Sequence, residues 1–338
     1  MTSRYLAPVL GWYTTAARDL PWRDPEASAW SVMVSEIMLQ QTPVSRVLPA
    51  HREWLSRWPT PAALAADPPG EAVRQWGRLG YPRRALRLHE AARIVTERHG
   101  GVIPDSYDEL LALPGVGRYT AAAIASFAYR QRYPVLDTNV RRVLSRLITG
   151  AEFPGKTVSA AEWRLAETLL PDEPEIAARW AVGVMELGAL VCTAARPRCQ
   201  VCPLAADCTW LKAGRPAATV RPVGQRYEGT DRQCRGRLLA VLRDADGPVP
   251  AIQLDVVWPV ALQRARALDG LVADGLVDAL PDGNYALPRL SPGGTTPRTP
   301  RCASRPRGGD CRSTGRSPGA FGPGSLGRSG RLSVTRAS

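Results

Sequence analysis

The sequence predicts an all-α protein, on three observations. Apolar residues recur at helical spacing through most of the first 215 positions; the helical stretches begin and end on capping residues; and nothing before Pro216 alternates apolar with polar residues as a half-buried strand does. In order, SVMVSEIMLQQTPVSRVLPAHREWLSRW (31–58) has helical periodicity, with Pro43 near a break. PRRALRLHEAARIVTERHG (82–100) stops at a Gly-Gly pair suited to a helix C-terminus. YDELLALPGVGRYTAAAIASFAYRQ (107–131) reads helix, hairpin, helix. DTNVRRVLSRLITG (137–150) opens on three residues of capping type and closes on Gly150. SAAEWRLAETLL (159–170) and EIAARWAVGVMELGALVC (175–192) are two further helices.

Beyond a Pro/Gly/Arg-containing linker, 216–230, the segment 231–288 reads as three helices and a short hairpin around PDGN, the order of a winged-helix-like module. The remaining 289–338, rich in Gly, Pro, Ser and Arg, is expected to be a disordered basic tail.

With 338 residues and 44% apolar content, the chain can bury a substantial core. The net charge of +13 suits a polyanionic partner, although nine arginines against one acid from Ser291 onward place most of it in the tail. No run approaches the roughly 18 apolar residues of a membrane helix, and the charged N-terminus carries no cleavage signal, so a cytoplasmic protein without a membrane partner is expected. Four of the seven cysteines crowd into 192–208, which points to a metal centre in a reducing compartment rather than to disulfides.

Three features carry candidate chemistry. In LPGVGRYTAAAI (113–124), Gly115, Val116, Gly117 and Arg118 form either a tight turn between packed helices or an anion site of outward amides at a helix N-terminus; no Gly-Lys-Ser/Thr follows to make a Walker loop. Cys192, Cys199, Cys202 and Cys208, spaced C-x6-C-x2-C-x5-C, suit zinc or an iron–sulfur cube. Glu36 lies on an otherwise apolar helix face, and Asp137 sits where an N-cap is expected. The three histidines have no metal-ligand spacing, and they and most of the tryptophans are expected to pack rather than react.

The pattern LPGVGRYTAAAI, then LDTNVRRVLSR with Asp137 eighteen residues after Tyr119, then the cysteine cluster, resembles the helix-hairpin-helix DNA glycosylase superfamily over roughly Asp19 to Trp210. RDLPWR (18–23), SEIMLQQTPV (35–44) and GRLGYPRRALRLHEAA resemble its adenine DNA glycosylase (MutY) branch. The resemblance implies a two-lobed fold: a six-helix barrel over 27–133, and a lobe of 1–26 plus 134–215 holding one [4Fe–4S] cluster on the four cysteines. It implies that Glu36 protonates adenine N7, that Asp137 faces the deoxyribose C1′ as electrostatic stabiliser or transient nucleophile, and that Asn139 orients Asp137 or the attacking water. Tyr119 stands where lyase-active relatives carry lysine, which implies a monofunctional enzyme.

By the same resemblance, Leu39 and Gln41 beside Gln40 enter the base stack and Tyr81 wedges by the opposite base. Arg18, Leu20 and Arg23 edge the adenine pocket, and the hairpin with Arg196 and Arg198 meets phosphates. The implied partner is duplex DNA with adenine opposite 8-oxoguanine or guanine, bound by a monomer that reaches the nucleoid through DNA. Three departures stand out: Ala181 and Val182 replace a polar pair, Pro82 replaces a second tyrosine, and 231–288 reads as mainly helical where well-studied members carry a β-rich Nudix-like domain. The competing readings are a thymine–DNA glycosylase acting on T·G and a non-enzymatic iron–sulfur DNA-binding regulator.

Overall fold

A computed structural model describes residues 3–218 and 227–289; the middle of the linker, and the basic tail apart from its first residue, lie outside the described residues. The helices are α1 (Ser3–Ala16), α2 (Ala29–Leu39), α3 (Val44–Arg57), α4 (Pro61–Ala66), α5 (Pro69–Trp76), α6 (Arg83–Arg98), α7 (Tyr107–Ala112) and α8 (Arg118–Phe127). They continue as α9 (Thr138–Leu144), α10 (Ala160–Thr168), α11 (Pro174–Leu190), α12 (Thr209–Lys212), α13 (Asp231–Asp244), α14 (Ala251–Asp255) and α15 (Ala261–Ala273). Three short strands, β1 (Val249–Pro250), β2 (Asp278–Ala279) and β3 (Asn284–Ala286), complete the chain. No strand precedes Pro216 among the described residues.

The first lobe is built around α2. Ser28 caps this helix by accepting from the Ser31 amide, and every residue from Trp30 to Met38 is buried. A helix that is apolar on all sides must be surrounded, and α3, α6 and α8 pack against it. The lobe holds seven helices between 27 and 133 rather than six, because the Pro-rich steps after Trp58 and Asp67 separate α4 and α5 as short helices with proline in their first turns. Trp54 meets Trp58 and Trp76 edge to face, with ring centroids 4.6 and 5.6 Å away. His51 and His89 are buried against the carbonyls of Ser31 and Asp67, the packing roles expected of them.

The second lobe packs α1 and α9 against α11 around Val9, Leu144, Trp180 and Leu187. Here Ser159 and Glu162 form a reciprocal capping box at the start of α10. Small residues, Ala122 and Ala123 of α8 with Ala181 of α11, allow the two lobes to meet closely.

The C-terminal segment follows the expected winged-helix order, with the sheet arranged β1-β3-β2 and Gly283 at positive φ in the β2–β3 turn. Its apolar core is continuous with that of the first lobe. Two arginines exchange across the junction: Arg243 of α13 donates to the Val73 carbonyl (2.8 Å) and to that of Gly77 (2.5 Å), and Arg74 of α5 donates to the Ala245 carbonyl (2.9 Å). Each satisfies carbonyls that a helix C-terminus leaves without partners.

Candidate active site

A cleft of about 1310 Å³ is lined by Glu36 from α2, Tyr119 from α8 and Asp137 at the start of α9. Glu36 is only 3% exposed. Its Oε2 accepts from the Tyr119 hydroxyl at 2.8 Å. Burial raises its pKa to about 7; the neighbouring Asp137 charge pushes the same way, while the Tyr119 hydrogen bond and Arg23 oppose. Near neutral pH this carboxyl can therefore carry a proton, as a general acid must. Tyr119, half-buried beside two carboxyls, is held well above its ordinary pKa and so remains a hydroxyl donor.

Asp137 is the N-cap of α9, its Oδ1 accepting from the Val140 amide at 2.6 Å. Its Oδ2 accepts from Asn139 Nδ2, also at 2.6 Å. Burial pushes its pKa up, and these two hydrogen bonds together with the Arg142 charge pull against it. The Asn139 amide cannot rotate freely, because its Oδ1 accepts from Arg142, whose guanidinium also holds the Gly188 and Cys192 carbonyls. Gly188 is required for this approach of α11 to α9: a Cβ there would stand 2.7 Å from Asn139 Cβ and 2.8 Å from its carbonyl oxygen. Gly188→Ala is therefore expected to displace Asn139 and slow base release by about tenfold, with the dissociation constant for duplex DNA nearly unchanged; an unchanged single-turnover rate would refute this.

Arg18, Leu20 and Arg23 all line the cleft. The two arginines share a residue that the sequence reading missed. Glu186 of α11 is fully buried and accepts from Arg18 through its amide (3.0 Å), Nε (2.7 Å) and a terminal nitrogen (2.6 Å), and from Arg23 at 2.8 Å. Burial alone would raise its pKa, but these hydrogen bonds and the Arg23 charge bring it down to about 2. The available signal was a single acid within VGVMELGAL, an otherwise apolar stretch of helix. Val182, also on the cleft wall, offers no polar contact where the adenine branch often has one.

The remaining residues lie on the cleft rim, outside it at Tyr81 and Arg118, and in the cysteine loop. Leu39, Gln40, Gln41, Gly115, Val116 and Gly117 rim the cleft. Gln41 and Tyr81 are both exposed and both adopt positive φ (57° and 47°), costly for non-glycine residues. Gly115 takes φ +82°, and Gly117 caps α8, whose first amides have no intrahelical partners. Val116 is buried, and exposed Arg118 lies over the Trp163 ring at 4.5 Å. Arg196 and Arg198 lie in the cysteine loop, apart from the cleft lining; both are exposed, but Arg198 donates twice to the Leu190 carbonyl at the end of α11.

The four loop cysteines are half-buried free thiols. Burial raises Cys202 to about 11, and the other three thiols are near enough to add to the rise. Buried Arg146 donates to Cys192 Sγ at 3.4 Å, and its carbonyl accepts from Cys208 at 3.5 Å. Among the described residues, no group of Cys, His, Asp or Glu converges as the ligands of a single metal ion.

The family model of the HhH-GPD superfamily of base excision DNA repair proteins matches residues 34–167. Among solved structures, a thermostable thymine-DNA glycosylase superposes with a TM-score of 0.56 at 27% identity, covering 63% of this chain and 97% of its own. Endonuclease III trapped on DNA shares the fold, with a TM-score of 0.54 at 24% identity over the same shares. Fold and cleft thus define a helix-hairpin-helix DNA glycosylase, and the non-enzymatic reading is set aside.

Relatives narrow the class. An adenine DNA glycosylase of Mycolicibacterium smegmatis is 53% identical over 285 residues, 83% of this chain and 96% of that protein. The human adenine DNA glycosylase is 44% identical over 209 residues, 59% of this chain and 38% of that one. The chain belongs to the adenine DNA glycosylase family.

Proposed function

We propose that the protein binds duplex DNA as a monomer and hydrolyses the N-glycosidic bond of adenine mispaired with 8-oxoguanine or guanine, leaving an abasic site. The carrying observation is the pairing of Glu36, protonatable near pH 7, with Asp137 in one cleft, and a tyrosine rather than an amine bonded to Glu36 there. Glu36 gives its proton to adenine N7, so the electron pair of the breaking C1′–N9 bond leaves on a neutral purine. Asp137 faces the positive charge that develops on the deoxyribose, and water adds to C1′, returning a proton to a carboxylate. Tyr119 has no amine with which to form a Schiff base, so the sugar–phosphate backbone stays intact.

The adenine must leave the stack to reach Glu36. Gln41 and Leu39 fill the gap, Tyr81 wedges beside the opposite base, and Arg18, Leu20 and Arg23 border the pocket, the arginines fixed by Glu186. The 115–118 hairpin, Arg196 and the free edge of Arg198 take phosphates. No helix among the described residues is long and apolar enough to cross a membrane, and the reading places the protein in the cytoplasm, on the nucleoid.

The four thiols fit a [4Fe–4S] cluster. They are soft, mutually close and faced by a buried guanidinium that suits a negatively charged centre. Cys192, Cys199, Cys202 and Cys208 would hold it, and it would supply structural cross-linking of the loop rather than chemistry on the base. Iron and acid-labile sulfide in equal amounts are expected in the anaerobically purified protein, and zinc alone would refute the assignment.

The deciding experiment is single-turnover base release from duplexes carrying A opposite 8-oxoguanine, G or T, and T opposite G. Adenine loss from the first two supports the proposal. Thymine loss from T·G alone would move the protein to the other specificity, and binding without release of any base would sink it. The rate should be bell-shaped in pH, falling above about 7 as Glu36 loses its proton and falling on the acid side as Asp137 gains one.

A further inference from the structure

Arg84, near the start of α6, is 6% exposed and touches neither the cleft nor a carboxylate. All of its hydrogen bonds but one go to backbone carbonyls, and they fall into two sets. One terminal nitrogen donates to Ile37 (2.8 Å), Met38 (2.9 Å) and Gln40 (2.6 Å), the carbonyls at the end of α2. The other donates to Leu79 (3.4 Å), Gly80 (3.0 Å) and the Thr42 hydroxyl (3.0 Å). That hydroxyl in turn donates to the Leu79 carbonyl at 3.2 Å. The guanidinium thus sits between the turn that carries Gln41 and the turn that carries Tyr81, with the Tyr81 and Trp76 rings 5.6 and 5.1 Å from its centre.

Both turns are strained at the residue they present. Gln41 and Tyr81 each hold a left-handed backbone that their side chains disfavour, and each follows directly on a carbonyl that Arg84 holds, Gln40 and Gly80. The carbonyl dipoles at the end of α2 balance the buried charge, so its environment leaves the cation few other places to be satisfied. A planar fork with donors on two edges can bind two loops at a fixed separation; an ammonium cannot.

We propose that Arg84 is a positioning residue that couples the Gln41 and Tyr81 turns, so that the two enter the duplex as one unit. The proposal rests on the reading above that these residues penetrate the base stack. The coupling acts while the duplex is opened and not during bond cleavage. A target that is already unpaired therefore does not need it. The Tyr81 turn is anchored from the far side by Arg243 on the Gly77 carbonyl, and on the near side Thr42 and Arg46 each reach one of its carbonyls, but Arg84 alone of these side chains also holds the carbonyls at the end of α2.

The test compares two substrates: adenine opposite 8-oxoguanine, and adenine opposite a tetrahydrofuran abasic analogue, which has no partner base. Arg84→Met should lower single-turnover release from the paired substrate by roughly 30-fold, in proportion to the few kcal/mol that extruding a stacked base costs. Release from the unpaired substrate should stay within about threefold of the parent enzyme, since no base pair has to be broken and only the unstacking cost remains. A 2-aminopurine placed beside the target should brighten less with the variant on the paired duplex only.

Arg84→Lys keeps a buried cation at the end of α2 and guards against misfolding of the methionine variant; it should show the same selective loss. Equal loss on both substrates, or no loss on the paired one, would overturn the coupling. If the parent enzyme itself released adenine from the unpaired duplex but not from the paired one, the reading of Gln41 and Tyr81 would fail before Arg84 was tested.

Discussion

Glu36→Gln is expected to lower single-turnover adenine release by about a thousandfold, the middle of the range for removing a general acid. The same change should make the protein more stable at alkaline pH. Glu36 has a folded pKa of about 7 against an ordinary 4.5, so between these values the native state holds more proton than the unfolded chain and stability falls as pH rises. Above about pH 7 the cost of keeping this carboxylate buried is fully developed, on the order of 3 kcal/mol at most. Below 4.5 both states are protonated and the cost vanishes. Glutamine still accepts the Tyr119 hydrogen bond without a charge, so its melting temperature should exceed that of the parent at pH 8 and match it near pH 4.5. A pH-independent difference would show that Glu36 is not a destabilised buried acid, and undiminished excision that it is not the proton donor.

This trade of stability for reactivity explains what could be read from the sequence and what could not. The helical lobes were legible because their signals are local: Ser28, Asp137 and Ser159 cap the helices they precede, Pro43 stands at the start of α3, and Gly150 closes a turn at positive φ. Glu36, Tyr119 and Asp137 were legible as a set through the resemblance, since an acid on an apolar helix and an aspartate at an N-cap each have ordinary explanations alone.

What was missed depends on contacts across many residues of chain. Glu186 meets Arg18 over 168 positions, and Arg84 meets the end of α2 over more than 40. No periodicity or spacing marks such pairs. The continuity of the C-terminal core with the first lobe was hidden for the same reason: α13 has the pattern of any amphipathic helix, and only the exchange between Arg74 and Arg243 reveals which surface it covers.

Asp137→Asn should abolish detectable base release, a loss of about a thousandfold or more for removing the charge that faces the developing cation, while binding duplex DNA at least as tightly as the parent enzyme. The two halves of this expectation have separate causes. Asparagine caps a helix as well as aspartate does, so the bond from the Val140 amide survives and α9 stays in place. With its oxygen kept on the Val140 amide, the new side chain puts an NH2 group where Oδ2 stood, facing the Asn139 Nδ2 donor that Arg142 holds in place; one hydrogen bond is lost, at about 1 kcal/mol. The melting temperature should therefore fall by only a few degrees. Binding improves because a negative group is removed from a cleft that must accept a polyanion. An aspartate that served only as an N-cap would give the reverse pattern, with excision preserved in its asparagine variant. Fluorescence anisotropy with a duplex carrying A opposite 8-oxoguanine, set beside the single-turnover rate on that duplex, separates the two roles. Weakened binding together with lost activity would instead mean that the start of α9 had collapsed, and that Asp137 acts on the fold rather than on the sugar.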